Sequence, residues 1–188
     1  TAVSAAEATA TASYADGKVT INGIAQGSTT VTVSAEATEN YNAFSKTISV
    51  TVTEKAKSKA VTFANGSYAD DVITWNEGLF TMVQAKGLNA AATAPNSSYM
   101  SAPRFYKDNT VTFTPADGIT ISKIVFTNLS GYNGNYVFNS SNIGNEGLVH
   151  TWTGSSTSAI TFTMAAAARL SAITVYYSGE ASKTDATW

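Results

Sequence analysis

The stretch SAITFTMAAAARLSAITVYY, residues 158 to 177, decides the fold. At its ends, SAITFTM (158 to 164) and LSAITVYY (170 to 177) alternate Ile, Phe or Val with Thr or Ser, the period of two that gives a strand one apolar face. Between them, Met164 to Leu170 is rich in Ala, the best helix former, yet it spans only about two helical turns, too few to hold a helix in water unaided. It reads as a connecting turn, and the stretch as two strands.

The same alternation recurs in KVTI (18 to 21), TTVTV (29 to 33), KTISVTV (46 to 52) and NTVTFT (109 to 114). One apolar and one polar face is the pattern of half-buried antiparallel sheet. Asp16-Gly17, Asn22-Gly23, Asn65-Gly66, Asp117-Gly118 and Asn133-Gly134 tolerate positive φ, so tight turns are expected there. A second Ala-rich segment, Ala2 to Ala12, is interleaved with Thr and Ser and reads as a strand edge. The chain is therefore expected to be all-β, with at most one short helix.

With 188 residues, 44% of them apolar, the chain has enough material for one large or two small packed domains. Only 13% of residues are charged, while Ser and Thr fill about a quarter of the positions, so the surface is hydroxyl-rich. Net charge is −2, and no run of Lys exceeds the alternation in EKAKSK (54 to 59). That lacks the electrostatic footprint of a nucleic-acid binder or an anionic-membrane binder. There is no Cys, which removes disulfides, thiolate zinc sites and thiol nucleophiles together. No window of about 18 apolar residues occurs, so no membrane insertion is expected. Thr1 opens inside strand-like sequence rather than in a signal peptide, as in a segment cut from a longer polypeptide.

The sequence predicts two modules in series. A first runs over 1–54, EKAKSK supplies a solvated linker at 55–59, a larger β-sandwich covers 60–178, and a polar mobile tail fills 179–188. Aromatic residues divide unequally: Tyr14, Tyr41 and Phe44 lie upstream of the linker, whereas all three Trp and most Tyr and Phe lie downstream. The second module thus has the larger core and the better stock of stacking side chains.

Residues 3 to 53, carrying DGKVTINGIAQGSTTVTV followed by ENYNAFSKTISVTV, resemble the C-terminal half of a bacterial Ig-like domain of group 2. The family's first strands have no counterpart in this sequence. A sandwich sheet needs a second one about 10 Å away, so the missing strands are expected from upstream sequence or from another chain. Ala60 to Tyr177, with APRFYKDNTVTFT, ITISKIVFTN, TWTG (151 to 154) and ITFTMAAAARLSAITVYY, resembles a β-sandwich accessory module found after such domains in large secreted proteins of gut and rumen bacteria. The resemblance implies a jelly-roll-like, extracellular or cell-surface, non-catalytic part of a multi-domain protein whose role is polysaccharide binding. In such a setting the Asn-x-Ser/Thr sequences at Asn65, Asn96, Asn128 and Asn139 are read as unglycosylated.

Residue by residue, the chemistry narrows in the same direction. His150, the single His, shares a strand face with Leu148 and Trp152, and no Gly-x-Ser-x-Gly elbow accompanies it, so a hydrogen-bonded sheet His is expected and an enzyme is not. Asp70, Asp71 and Glu77 form the one carboxylate cluster; adjacent Asp side chains on a strand point to opposite faces and cannot pair across a substrate. These oxygens suit Ca²⁺, but the Asp-x-Asp-x-Asp-Gly loop is missing, so no cofactor is expected. Nor does a Gly-rich loop open a helix to cradle phosphate.

Sugar binding needs a flat aromatic ring for the apolar face of a pyranose, bordered by amides or Arg for its hydroxyls. Trp75 in ITWNEG, Tyr106 with Arg104 in PRFYKDN, and Tyr132 among Asn133 and Asn135 in SGYNGNY meet that description. Trp75 has the parity of Ile73 and so competes for the core, as does Trp152 with Leu148; Tyr106 alternates away from Phe105, so one of the two is outward. Tyr132 to Asn135 is expected to be a hairpin turn closing SKIVFTN onto YVFNS, with a second turn over Asn142 to Gly147. The expected function is a non-catalytic polysaccharide-binding module of a secreted or surface-attached bacterial protein, for a starch-like glucan or a plant cell-wall glycan. The alternative is a stalk or adhesion spacer that binds no sugar.

Overall fold

The computed structural model describes residues 1–181 and divides into two compact units, Thr1–Lys55 and the chain from Ala56 onward. In the first unit, β1 (Ala2–Ser4), β4 (Gly27–Ala35) and β5 (Phe44–Val52) form an antiparallel sheet in that order, and β2 (Ala10–Ala15) with β3 (Lys18–Gly23) forms a hairpin. Asp16 and Gly17, at φ 51° and 75°, make its tight turn. Asn22-Gly23 does not turn: β3 stays paired with β2 as far as Gly23 opposite Ala10. Among apolar side chains of this unit only Ala10 and Val31 are buried, while Tyr14, Ile24, Tyr41 and Phe44 are mostly exposed. It has little core of its own.

The second unit holds β6 (Lys57–Ala60), β7 (Ser67–Ala69), β8 (Val72–Asn76), β9 (Phe80–Ala85), β10 (Arg104–Phe105), β11 (Thr110–Pro115) and β12 (Ile119–Asn128). It continues with β13 (Asn135–Phe138), β14 (Ser141–Asn142), β15 (Gly144–Glu146), β16 (Val149–Ser156), β17 (Ile160–Ala166) and β18 (Ala168–Gly179). One antiparallel sheet has the order β14-β13-β17-β11-β9-β8-β7; the other runs β10-β18-β12-β16-β15, with β6 also on β18. From β11 onward the chain passes back and forth between the two sheets, as in a jelly roll.

Alternation drives the packing. Phe113 of β11 and Phe162 of β17 point inward from one sheet and meet Phe126 of β12 from the other, edge to face, with ring centres 5.8 and 5.2 Å away. Each such buried side chain stabilises the sandwich by about 1.5–3 kcal/mol. The phase of β12 slips between Ile121 and Ile124, both fully buried, because a β-bulge lies between Ile121 and Lys123. The bulge lets ITISKIVF keep four apolar residues on one face despite an odd spacing.

Several sequence expectations need correction. The linker expected at 55–59 is largely strand: β6 pairs with Thr174 to Tyr177, and its alternating Lys residues suit an edge strand, where charge discourages further pairing. Lys59 reaches Glu77 at 3.3 Å. Asp70 and Asp71, at φ 50° and 60°, are the hairpin turn between β7 and β8 rather than adjacent positions on a strand. Tyr132 to Asn135 closes no hairpin, since β12 and β13 belong to different sheets. The tight turn after β13 is Asn139-Ser140, φ 48° and 65°. Gly147, φ 64°, turns β15 into β16 within the expected second turn. The tail expected at 179–188 falls mainly on residues 182–188, outside the described residues; Gly179 ends β18, and Glu180 forms an ion pair with Lys57.

Candidate functional site

Arg104 of β10 and Arg169 of β18 are direct cross-strand partners, between the buried Phe105–Ala168 pair on one side and the buried Leu170 on the other. Alternation therefore turns both arginines to the outer face, where directly opposed side chains are neighbours. The Arg104 Cζ lies 5.0 Å from the centre of the Tyr106 ring and 5.7 Å from that of Tyr99. The Arg169 Cζ lies 5.6 Å from the Tyr99 ring and 4.8 Å from Tyr132. The order along the surface is Tyr106, Arg104, Tyr99, Arg169, Tyr132, a stripe in which each cation sits within cation–π range of two rings. Tyr132 is 43% exposed and the other four are half-buried.

Three local devices hold the stripe. Asn96 accepts from the Ser98 N–H at 2.9 Å and starts the 3₁₀ turn Ser97–Tyr99 that presents Tyr99. The loop carrying Arg104 and Tyr106 is clamped by two fully buried amides. Gln84 Nε2 donates to the Arg104 carbonyl at 2.9 Å and to Asn109 Oδ1 at 2.8 Å, and Asn109 Oδ1 also accepts from the Tyr106 N–H at 3.1 Å. The turn of Tyr132 is closed by its N–H donating to Leu129 O at 3.0 Å, with Gly131 at φ 81°. That turn docks on β18 through Leu129 N–H to Arg169 O at 2.8 Å and Arg169 N–H to Tyr132 O at 3.3 Å.

Beneath the turn lies a second polar node. Asn133 Oδ1 accepts from Asn128 Nδ2 at 3.1 Å and bonds His150 Nε2 at 2.7 Å, and its NH₂ donates to Gly147 O at 2.8 Å. The Tyr136 hydroxyl donates to Asn128 Oδ1 at 2.7 Å, and its ring stacks on Phe126 at 4.3 Å. Facing an acceptor oxygen, His150 Nε2 must carry the proton, which leaves Nδ1 as a lone pair without a partner. Burial lowers the His150 pKa and so favours this neutral form. The node fixes the turn that carries Tyr132.

Of the six residues expected to meet ligand, the structure brings Tyr132, Arg104 and Tyr106 together. Trp75 is fully buried: β8 puts it on the face of Ile73, and its indole N–H donates to Phe63 O at 3.1 Å, so it is a core residue, not a platform. The Asn133 side chain is occupied by the node and unavailable for sugar hydroxyls. Asn135 opens β13 opposite Ala166, in the other sheet from Arg169. Glu77, two residues after Trp75, accepts from the Thr62 N–H at 2.5 Å and pairs with Lys59. It stands at the far end of β8 from the Asp70-Asp71 turn.

Tyr99 and Arg169 were not singled out by the sequence, although Arg169, between the buried Ala168 and Leu170, carries the outward parity that marks it. A separate recess of about 270 Å³ is lined by Phe138, Ser141, Ile143, Thr151, Trp152 and Thr153, and it holds no charged side chain. Among the described residues no three His, Asp or Glu side chains come together as a metal site. No family model matches this chain, and no curated protein or solved structure does so either.

Proposed function

We propose that the second unit is a non-catalytic polysaccharide-binding module, part of a secreted or surface-attached multi-domain bacterial protein, as the resemblance of both segments implies. The observation that carries this is the stripe itself: three tyrosine rings and two guanidinium groups set side by side on one outer edge of the sandwich. Rings of this kind supply the apolar contact for pyranose faces, and the arginines supply donors for ring hydroxyls and acids. His150, the one side chain suited to general-base work near neutral pH, is buried and already bonded to Asn133. Burial of Trp75 and Trp152 favours the second reading, a spacer without a sugar ligand. The stripe outweighs it, because a spacer has no use for half-buried arginines between tyrosines.

Affinity electrophoresis of the full chain through gels containing starch, xylan, β-glucan, mucin glycans or polygalacturonate tests the proposal. Retardation in at least one gel is expected, and free migration in all of them would remove it.

A further inference from the structure

We infer that the ligand of this stripe is acidic, a glycan bearing carboxylates such as a uronic-acid polymer, with Arg104 and Arg169 as its paired anion contacts; this rests on the glycan reading above. Like charges placed directly opposite each other on adjacent strands repel, so the Arg104–Arg169 pair is unfavourable unless something negative lies against it. Among the described residues no carboxylate does so: neither arginine forms a salt bridge. Asp108, the acidic residue nearest in sequence to Arg104, is engaged by Asn89 Nδ2 at 2.7 Å. Moreover, Arg104 Nε is buried and has no hydrogen-bond partner. An acceptor meets that donor only when the guanidinium turns outward on binding, and doing so would relieve an unsatisfied polar group.

The tyrosines narrow the acceptor's shape. Rings lie 4.8 to 5.7 Å from the two guanidinium carbons, so the groups are walled by aromatic surface. The N–H donors of a guanidinium lie in its own plane, and a planar carboxylate meets that edge with two parallel bonds. A uronic acid joins a carboxylate to a pyranose ring, and a stripe that alternates cation with aromatic ring offers a partner for each part.

The test uses the full chain with polygalacturonate, the same polymer after chemical reduction of its carboxyls to alcohols, and dextran sulfate. Retardation by polygalacturonate is expected, falling at least about tenfold on carboxyl reduction and in Arg104→Gln or Arg169→Gln, since each removes a charge-assisted bond. Arg169→Lys is expected to weaken binding too, because it keeps the charge but loses the planar fork. Lys46→Gln, a charge change in the first unit, should leave binding alone. Equal binding of native and reduced polymer overturns the acidic assignment while leaving the glycan reading standing. Binding of dextran sulfate as strong as that of polygalacturonate overturns it as well, by showing charge attraction without carboxylate recognition. Failure with every polymer, acidic and neutral, removes both. Where an arginine variant fails to fold, as its melting curve will show, the polymer comparison on the unaltered chain still decides.

Discussion

Arg169 meets Tyr132 twice: its backbone N–H donates to the Tyr132 carbonyl at 3.3 Å, and its guanidinium carbon lies 4.8 Å from the centre of the Tyr132 ring. The first contact docks a turn on a strand and needs no side chain at position 132. The second forms one end of the stripe and needs nothing else. Stability and recognition are therefore separable at this residue.

Tyr132→Ala should accordingly reduce affinity for the glycan about tenfold at a cost of only about 1 kcal/mol in stability, since the residue is 43% exposed and the backbone bonds of its turn are kept. Calorimetric titration beside a thermal melt measures both. A loss of stability with affinity unchanged would mean that the ring packs rather than binds.

Asn133→Ala should behave in the opposite sense. It removes one acceptor and one donor group from a node joining Asn128, Gly147 and His150, leaving His150 Nε2 buried without its partner. A loss of about 1–3 kcal/mol is expected, read from the urea midpoint, with any change in affinity following from displacement of the turn.

The strands were legible because their alternation is strict and long: NTVTFT and SAITFTM become the neighbouring strands β11 and β17, and Phe113 and Phe162 fall on the inner face as parity demands. That Tyr106 and Phe105 face opposite ways was legible for the same reason, and the burial of Phe105 shows which of them is outward. What stayed hidden depended on which strand pairs with which. Arg104 and Arg169 are 65 positions apart in the chain, and only the β10–β18 pairing sets them opposite each other. The roles of Asn133 and Asn109 were equally hidden, because an Asn that suits a turn and an Asn that clamps one look alike in sequence. The linker was misread since Lys alternating with small residues describes both a solvated connector and a charged edge strand.

His150 makes stability depend on pH. Burial depresses its pKa below the ordinary 6.5, so the folded protein holds the imidazole neutral where an unfolded chain would protonate it. Its contribution is complete above about pH 6.5 and diminishes as pH falls below that value, because the unfolded state then binds the extra proton. The urea midpoint should decline from about pH 7 to about pH 5.5, ahead of carboxylate titration, and His150→Gln should flatten that decline even if it lowers the midpoint throughout. A midpoint constant over this range in the unaltered protein would show that the imidazole accepts its proton in the folded state as readily as in water.

Gly134 closes the turn of Tyr132 against β18 with no room to spare. A Cβ built there would stand 2.4 Å from the Cβ of Ala168, 3.1 Å from its Cα and 3.3 Å from the Ala166 carbonyl, so the turn or the strand must move. Gly134→Ala should cost about 1–3 kcal/mol as overpacking. The adjacent residues share that displacement: Arg169 follows Ala168, and Tyr132 precedes Gly134 by two positions, so the two ends of the Tyr132–Arg169 contact separate and affinity falls as well. Removing the opposing methyl should restore part of both. In a double-mutant cycle, Gly134→Ala with Ala168→Gly is expected to be less unstable than the sum of the single variants, and to recover some glycan affinity. Strict additivity in stability would show that the two residues do not press on each other and that the turn is held by its hydrogen bonds alone.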